Sequence, residues 1–174
     1  MQNIKLSILS ALLVFFFISS APKTEHAKWL SLAEAETFLQ KEKRPILIDL
    51  YTDWCGWCKV MDKKTYTNKG VEEYLQNKFY AVKVNAETRD KINWHQQTYN
   101  YNPSYKVNEF AVYMTHGRLA FPTTIIIPAD GSEPQAIPGY LETKDMELIL
   151  KYFADGSYGK VPFDEYQKRF KPTW

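Results

Sequence analysis

Two cysteines three positions apart, reached directly from an apolar run, constrain this chain more than any other feature. Ile46-Leu47-Ile48-Asp49-Leu50-Tyr51 is apolar at nearly every position, as a strand covered on both faces would be. A short turn from Thr52 to Cys55 leads into a helical stretch running to about Lys64. Cys55 and Cys58 therefore stand at a helix start, just beyond the end of a buried strand. A disulfide between them would close a tiny loop and restrain the unfolded chain little. The chain has no other cysteine, too few for the disulfide framework of a small secreted domain. Chemistry explains the pair better than stability does.

A helix N-terminus offers unpaired backbone N–H groups and partial positive charge, and both favour thiolate over thiol. Cys55 is thus expected to be the nucleophile, and Cys58, one turn in, the more buried resolving thiol. A lone Cys-x-x-Cys also serves as half of a zinc site. That site needs two further ligands, and His26, His95, His116 and the carboxylates match no compact spacing. No metal and no cofactor is expected. Metal delivery through the two thiols is one alternative to exchange chemistry, and a non-catalytic protein-binding module is another.

The rest of the chain reads as alternating helices and strands, which argues for an α/β sheet. Trp29 to Leu39 is an amphipathic helix, with Ser31 and Glu34 as a capping box. Asn68 caps a second stretch, with Val71, Tyr74 and Leu75 inward, and Phe79 to Asn85 is a strand. Ile92 to Tyr105 has little periodicity and reads as a loop or partly helical insertion. Val107 to Met114 is a helix ended by Gly117, Thr123 to Ile127 a β-branched strand, and Gln135 to Ile137 pairs back after an Asp130-Gly131 turn. Thr143 caps a helix carrying Met146, Ile149, Leu150 and Phe153, and a short helix follows from Phe163 to Phe170.

The segment Ile46 to Lys59, with Asp49 in the strand and Asp53-Trp54-Cys55-Gly56-Trp57-Cys58 after it, resembles the active-site segment of the thioredoxin family. The resemblance covers roughly Trp29 to Phe153. It implies a thioredoxin-like α/β fold, a central mixed sheet flanked by helices, with an insertion before a cis-proline and a short C-terminal extension. Residues 22–154 would be the domain and 155–174 an extension packed on it. Cys55 matches the attacking cysteine, Cys58 the resolving one and Trp54 the tryptophan before the pair. Asp49 matches the buried acid below the site, and Lys83 the lysine that pairs with it. Phe121-Pro122-Thr123 matches the cis-proline stretch, and Gly139 a glycine near the last strand. Trp57 stands where the family usually has proline.

Each satellite residue has a physical role and a blander alternative. A buried Asp49 has a raised pKa and can trade a proton with Cys58, or it is a structural acid capping local N–H groups. Lys83 moderates Asp49, or is an ordinary strand-edge lysine. Pro122 exposes the neighbouring Phe121 backbone to an extended substrate, or merely opens a strand. Trp54 and Trp57 form an apolar rim for substrates, or pack into the core, Trp54 more readily than Trp57. Tyr99, Tyr101 and Tyr105 bind glycans or peptides, or belong to a tyrosine-bearing loop packed on the domain.

The formal net charge is +2, and no basic stripe marks a nucleic-acid surface. Residues 1–21 have the layout of a secretory signal peptide: Lys5, an apolar run around Leu12 to Ile18, then Ser19-Ser20-Ala21. Pro22 leaves the cut itself open, and a retained anchor is the alternative. The expected protein is an exported, periplasmic thiol–disulfide oxidoreductase that reduces protein or peptide disulfides. Its electrons would come from a membrane thiol donor, because the outer compartment lacks the cytosolic thiol pool.

Overall fold

In the strand β1 (Ile46–Tyr51) every residue but Tyr51 is buried, so both faces of the sheet carry core. Side chains alternate across a strand. Ile46, Ile48 and Leu50 join one apolar cluster, with Val82, Val84, Phe110, Met114 and Ile125. Leu47 joins the other, with Met61, Tyr66, Leu75, Ile126, Met146 and Leu150. The computed structural model describes residues 29–174. The signal-peptide reading and His26 lie outside those residues. Among the described residues, no helix is long and apolar enough to cross a membrane.

Among the described residues, six helices and eight strands follow in order. They are α1 (Leu32–Leu39), β1, α2 (Gly56–Lys64), α3 (Lys69–Lys78), β2 (Tyr80–Asn85), β3 (Ile92–Trp94), β4 (Gln97–Tyr99), β5 (Tyr101–Asn102), β6 (Val107–Asn108), α4 (Glu109–Met114), β7 (Thr123–Ile127), β8 (Gln135–Pro138), α5 (Thr143–Ala154) and α6 (Phe163–Arg169). The main sheet runs β2-β1-β7-β8. β1 and β2 are parallel, while β1–β7 and β7–β8 are antiparallel, so the sheet is mixed as the resemblance implies. α1 and α4 contribute to the first cluster, and α2, α3 and α5 to the second.

Local signals account for most boundaries. The Ser31–Glu34 capping box is complete, so α1 starts at Leu32 and not at Trp29. Leu30 instead bridges to Val82 beside β2. Asn68 accepts from the Gly70 and Val71 N–H groups at the head of α3. Thr143 is the first residue of α5 rather than its cap. Glu142 holds the cap position without a side-chain bond, so backbone geometry alone starts that helix.

The stretch from Ile92 is not helical. It forms two small hairpins, β3–β4 and β5–β6. His95 and Gln96, at φ 48° and 63°, make the two-residue turn of the first. Both sit in the left-handed region such turns require, without the usual Asn-Gly signal. Tertiary contacts hold them there: Glu36 of α1 accepts from the His95 N–H at 2.7 Å, and the His95 ring stacks on Trp94 at 4.5 Å. Val107 and Asn108 belong to β6, and the Asn108 side chain accepts from the Phe110 N–H, which delays α4 to Glu109. Tyr99 is buried against Phe110, while Tyr105 is exposed.

The last residues fold back on the domain. α6 packs Phe163 and Tyr166 against Tyr152 of α5. Glu147, fully buried on α5, accepts from the Thr173 N–H at 2.8 Å, the Thr173 hydroxyl at 2.5 Å and the Trp174 N–H at 3.1 Å. Lys151 donates to the same carboxylate at 2.6 Å. The Trp174 ring lies so close to Gly70 that a Cβ there would run into it.

Candidate active site

Cys55 is the N-cap of α2, and its sulfur accepts from the Cys58 N–H at 3.1 Å. The preceding turn is closed by the Cys55 N–H donating to the Thr52 carbonyl at 3.2 Å. Cys55 and Cys58 form a disulfide with their Cα atoms 5.3 Å apart. The expected difference in burial is absent: the two residues are 4% and 5% exposed. In the disulfide the sulfurs lie together and share the same cover.

Asp49 lies on the Leu47 face of β1, the face covered by α2, and is 2% exposed. Its carboxylate Oδ2 meets the Lys83 ammonium at 3.2 Å, across the parallel β1–β2 pair in which the two residues are register partners. Burial pushes the Asp49 carboxyl up to about 6, against the opposing pull of the Lys83 charge. Lys83 also pairs closely with Asp62, which sits on α2 four residues after Cys58. Burial works against the Lys83 ammonium, but Asp49 and Asp62 outweigh it and raise its pKa above the ordinary lysine value. The rings of Trp29, Tyr51 and Tyr66 surround the ammonium at 5.1, 5.3 and 5.8 Å. Lys83 is therefore no ordinary edge lysine.

Asp62 escaped the sequence reading. Its signal was the four-residue spacing from Cys58, which puts both on one face of α2. A polar residue in an amphipathic helix ordinarily reads as solvated, and only the fold brings it to Lys83.

The Phe121–Pro122 bond is cis, and Pro122 is buried at the head of β7. Its carbonyl accepts from the Gly139 N–H at 2.8 Å, and Gly139, just after β8, takes φ 100°. Trp54 and Trp57 are 67% and 62% exposed, so neither packs into the core. They stand at the head of α2, where a core position would require turning the loop inward. Trp54 meets Phe121 edge-on at 6.0 Å and donates through Nε1 to Glu87 at 3.0 Å. Trp57 leans on Tyr140 at 5.4 Å. Two aromatic pairs thus border the cysteines. His95 and His116, both exposed at turns, stand on other elements.

The thioredoxin-like domain family matches residues 32–154. Over 148 residues the chain is 24% identical to a protein disulfide-isomerase of Schizosaccharomyces pombe, covering 85% of this chain and 33% of that one. Over 45 residues it is 36% identical to the thiol:disulfide interchange protein DsbD of Pectobacterium atrosepticum, covering 26% of this chain and 8% of that one. The chain thus spans a third or less of those relatives' lengths. Among solved structures, a thioredoxin-fold protein from Helicobacter pylori superposes with a TM-score of 0.55 at 17% identity, covering 83% of this chain and 84% of that one. The DsbH oxidoreductase superposes at 0.54 and 16% identity, covering 76% and 87%. With a disulfide-forming Cys-x-x-Cys pair at the head of α2 and a cis-proline opening β7, this chain belongs to the thioredoxin-like domain family.

Proposed function

We propose that this protein is an exported thiol–disulfide oxidoreductase that reduces protein or peptide disulfides. The observation that carries the reading is the Cys55–Cys58 pair at the head of α2, with the buried carboxylate of Asp49 on the sheet face that α2 covers. In the reduced protein the Cys55 thiolate attacks a substrate disulfide. A mixed disulfide forms, and the first substrate sulfur leaves as a thiolate. The Cys58 thiol then passes its proton to the Asp49 carboxylate and attacks the Cys55 sulfur. The second substrate sulfur leaves, the Cys55–Cys58 disulfide closes, and two electrons have moved to the substrate. Asp49, as a carboxylate held by Lys83, is the proton acceptor of the second step.

Trp54 with Phe121, and Trp57 with Tyr140, supply apolar ground on which an extended substrate segment rests. The Phe121 backbone beside Pro122 is placed to pair with it. A membrane thiol donor restores the dithiol. The relatives named for thiol–disulfide interchange and disulfide isomerisation support exchange chemistry, and a proton acceptor at Asp49 serves the step that releases a reduced substrate.

The equilibrium potential of the Cys55–Cys58 couple tests the direction. A value near about −270 mV is expected, and one near about −120 mV would make the protein an oxidant. Fractionation of the producing cell tests export. The protein should lie beyond the cytoplasmic membrane, and the full-length chain free in the cytoplasm would refute that part.

A further inference from the structure

Asp49 uses only half of its carboxylate in its pairing with Lys83. Oδ2 meets Lys83, but Oδ1 is buried and has no partner among the described residues. Three hydroxyls share that condition among the described residues, those of Thr52, Tyr66 and Thr124, and the last two lie on the Asp49 side of the sheet. Buried polar atoms without partners are rare, and each calls for an explanation.

The register brings Asp49, Tyr66 and Thr124 together. Asp49 and Thr124 are direct partners in the antiparallel β1–β7 pair, so their side chains leave the same face a few ångströms apart. The next pair on that face, Leu47 and Ile126, packs in the cluster that contains Tyr66. Tyr66 follows directly on α2, its ring also flanked by Lys83 and Trp29. One arrangement would satisfy all three atoms: the Tyr66 hydroxyl donating to the Thr124 oxygen, and the Thr124 hydroxyl donating to Asp49 Oδ1.

We propose that Tyr66 and Thr124 form a buried hydroxyl relay onto the free oxygen of Asp49, and that both are positioning residues for this carboxylate. The proposal rests on the proton-acceptor role given to Asp49 above. Burial and the nearby Asp49 charge hold the Tyr66 phenol well above its ordinary pKa, so Tyr66 keeps its proton and remains a donor. Hydrogen bonds donated to a carboxylate favour its charged form. The relay therefore joins Lys83 in keeping Asp49 ionised, against burial and against the negative charge of Asp62. Asp49 is faced by Lys83 from β2, by Asp62 from α2, by Tyr66 beyond it, and by Thr124 from β7. Linked donors strengthen one another, so losing either link weakens the whole.

The test is a carboxyl-carbon NMR titration of Asp49 in the reduced full-length protein, beside the pH profile of single-turnover disulfide reduction. Thr124→Val should move the Asp49 midpoint upward by about one pH unit or more, for loss of a hydrogen bond to a charged group, and Tyr66→Phe should move it in the same direction by less, because it acts only through Thr124. Thr124→Ser, which keeps the hydroxyl, should titrate like the parent. The double variant should match Thr124→Val alone, because without Thr124 the tyrosine no longer reaches the carboxylate. An unchanged midpoint in Tyr66→Phe or Thr124→Val overturns the relay, and additive shifts overturn its order. If Thr124→Val does not fold, Tyr66→Phe and Thr124→Ser decide the matter, since equal midpoints in both refute it. A shifted Asp49 midpoint with an unshifted rate profile would leave the relay standing and refute the catalytic use of Asp49.

Discussion

Glu147→Ala is expected to lower the melting temperature of this protein by about 10 °C. The carboxylate is fully buried on α5 and takes hydrogen bonds from Lys151, Thr173 and Trp174. Removing it leaves the Lys151 ammonium beside the Phe170 and Trp174 rings with the Thr173 hydroxyl in place of a countercharge, and leaves two backbone N–H groups without an acceptor. Breaking a buried pair from one side costs about 3–5 kcal/mol, and each kcal/mol shifts the midpoint by about 2–4 °C at this size. The tail should also come loose. Trp174 then vacates its seat against Gly70, Tyr74 and Lys151, and amide exchange at Thr173 and Trp174 should become fast.

The pH dependence has a definite sign. Burial raises the Glu147 pKa, but the hydrogen bonds from Lys151, Thr173 and Trp174 outweigh it and hold the carboxyl below its ordinary value. A carboxyl with a depressed folded pKa stabilises the protein above its unfolded value. That stabilisation is lost as the pH falls through the folded value. The gap between parent and variant should therefore be constant near neutrality and shrink below about pH 4. Melting points within 2 °C of each other, by calorimetry at about pH 7, would show that the tail contributes nothing to the fold.

Asp49→Asn is expected to slow single-turnover disulfide reduction by about 100-fold or more near pH 6 to 7, the usual scale for losing a general base. The amide keeps the shape but cannot accept the Cys58 proton. The loss should fade in alkaline solution, where Cys58 ionises unaided, and trapped mixed disulfides through Cys55 should accumulate in between. Stability should move the other way. The folded pKa, about 6, lies above the ordinary carboxylate value, so the folded state binds the proton more tightly than the unfolded one. Such an acid is tolerated best below its unfolded pKa, and its ionisation destabilises the fold as the pH rises through about 4 to 6. A shift of about two units corresponds to ~3 kcal/mol. The loss of a partner for Lys83 takes back part of this, though Asp62 still holds the ammonium. The variant should thus be as stable as the parent, or more so, at pH 7 and lose that advantage in acid. Identical rate profiles would reduce Asp49 to a structural residue.

Much of the frame was legible because it rests on local chemistry. An all-apolar run with one acid marks a strand buried on both faces, and β1 spans those residues. Ser31 with Glu34, and Asn68 before Val71, are caps whose bonding partners lie within one turn, so both caps are legible in the sequence, although the apolar pattern carries the first helix back to Trp29 and it starts at Leu32. The cysteine spacing likewise places Cys55 at the head of α2 and allows the disulfide. Errors arose where the deciding contact is distant. The His95–Gln96 turn has no glycine or asparagine to announce it, and a carboxylate from α1 holds it. The exposure of Trp54 depends on Phe121 and Glu87, 67 and 33 positions away in the chain. By itself, then, the sequence determined the order of the helices and of the four main-sheet strands, the head of α2 and the presence of a lone acid beneath it, but not the two hairpins between β2 and α4. Only the tertiary structure decided what surrounds that acid. Asp49 meets Lys83, Asp62, Tyr66 and Thr124 through strand register and helix packing, and a buried charge takes its pKa from such neighbours rather than from its place in the chain.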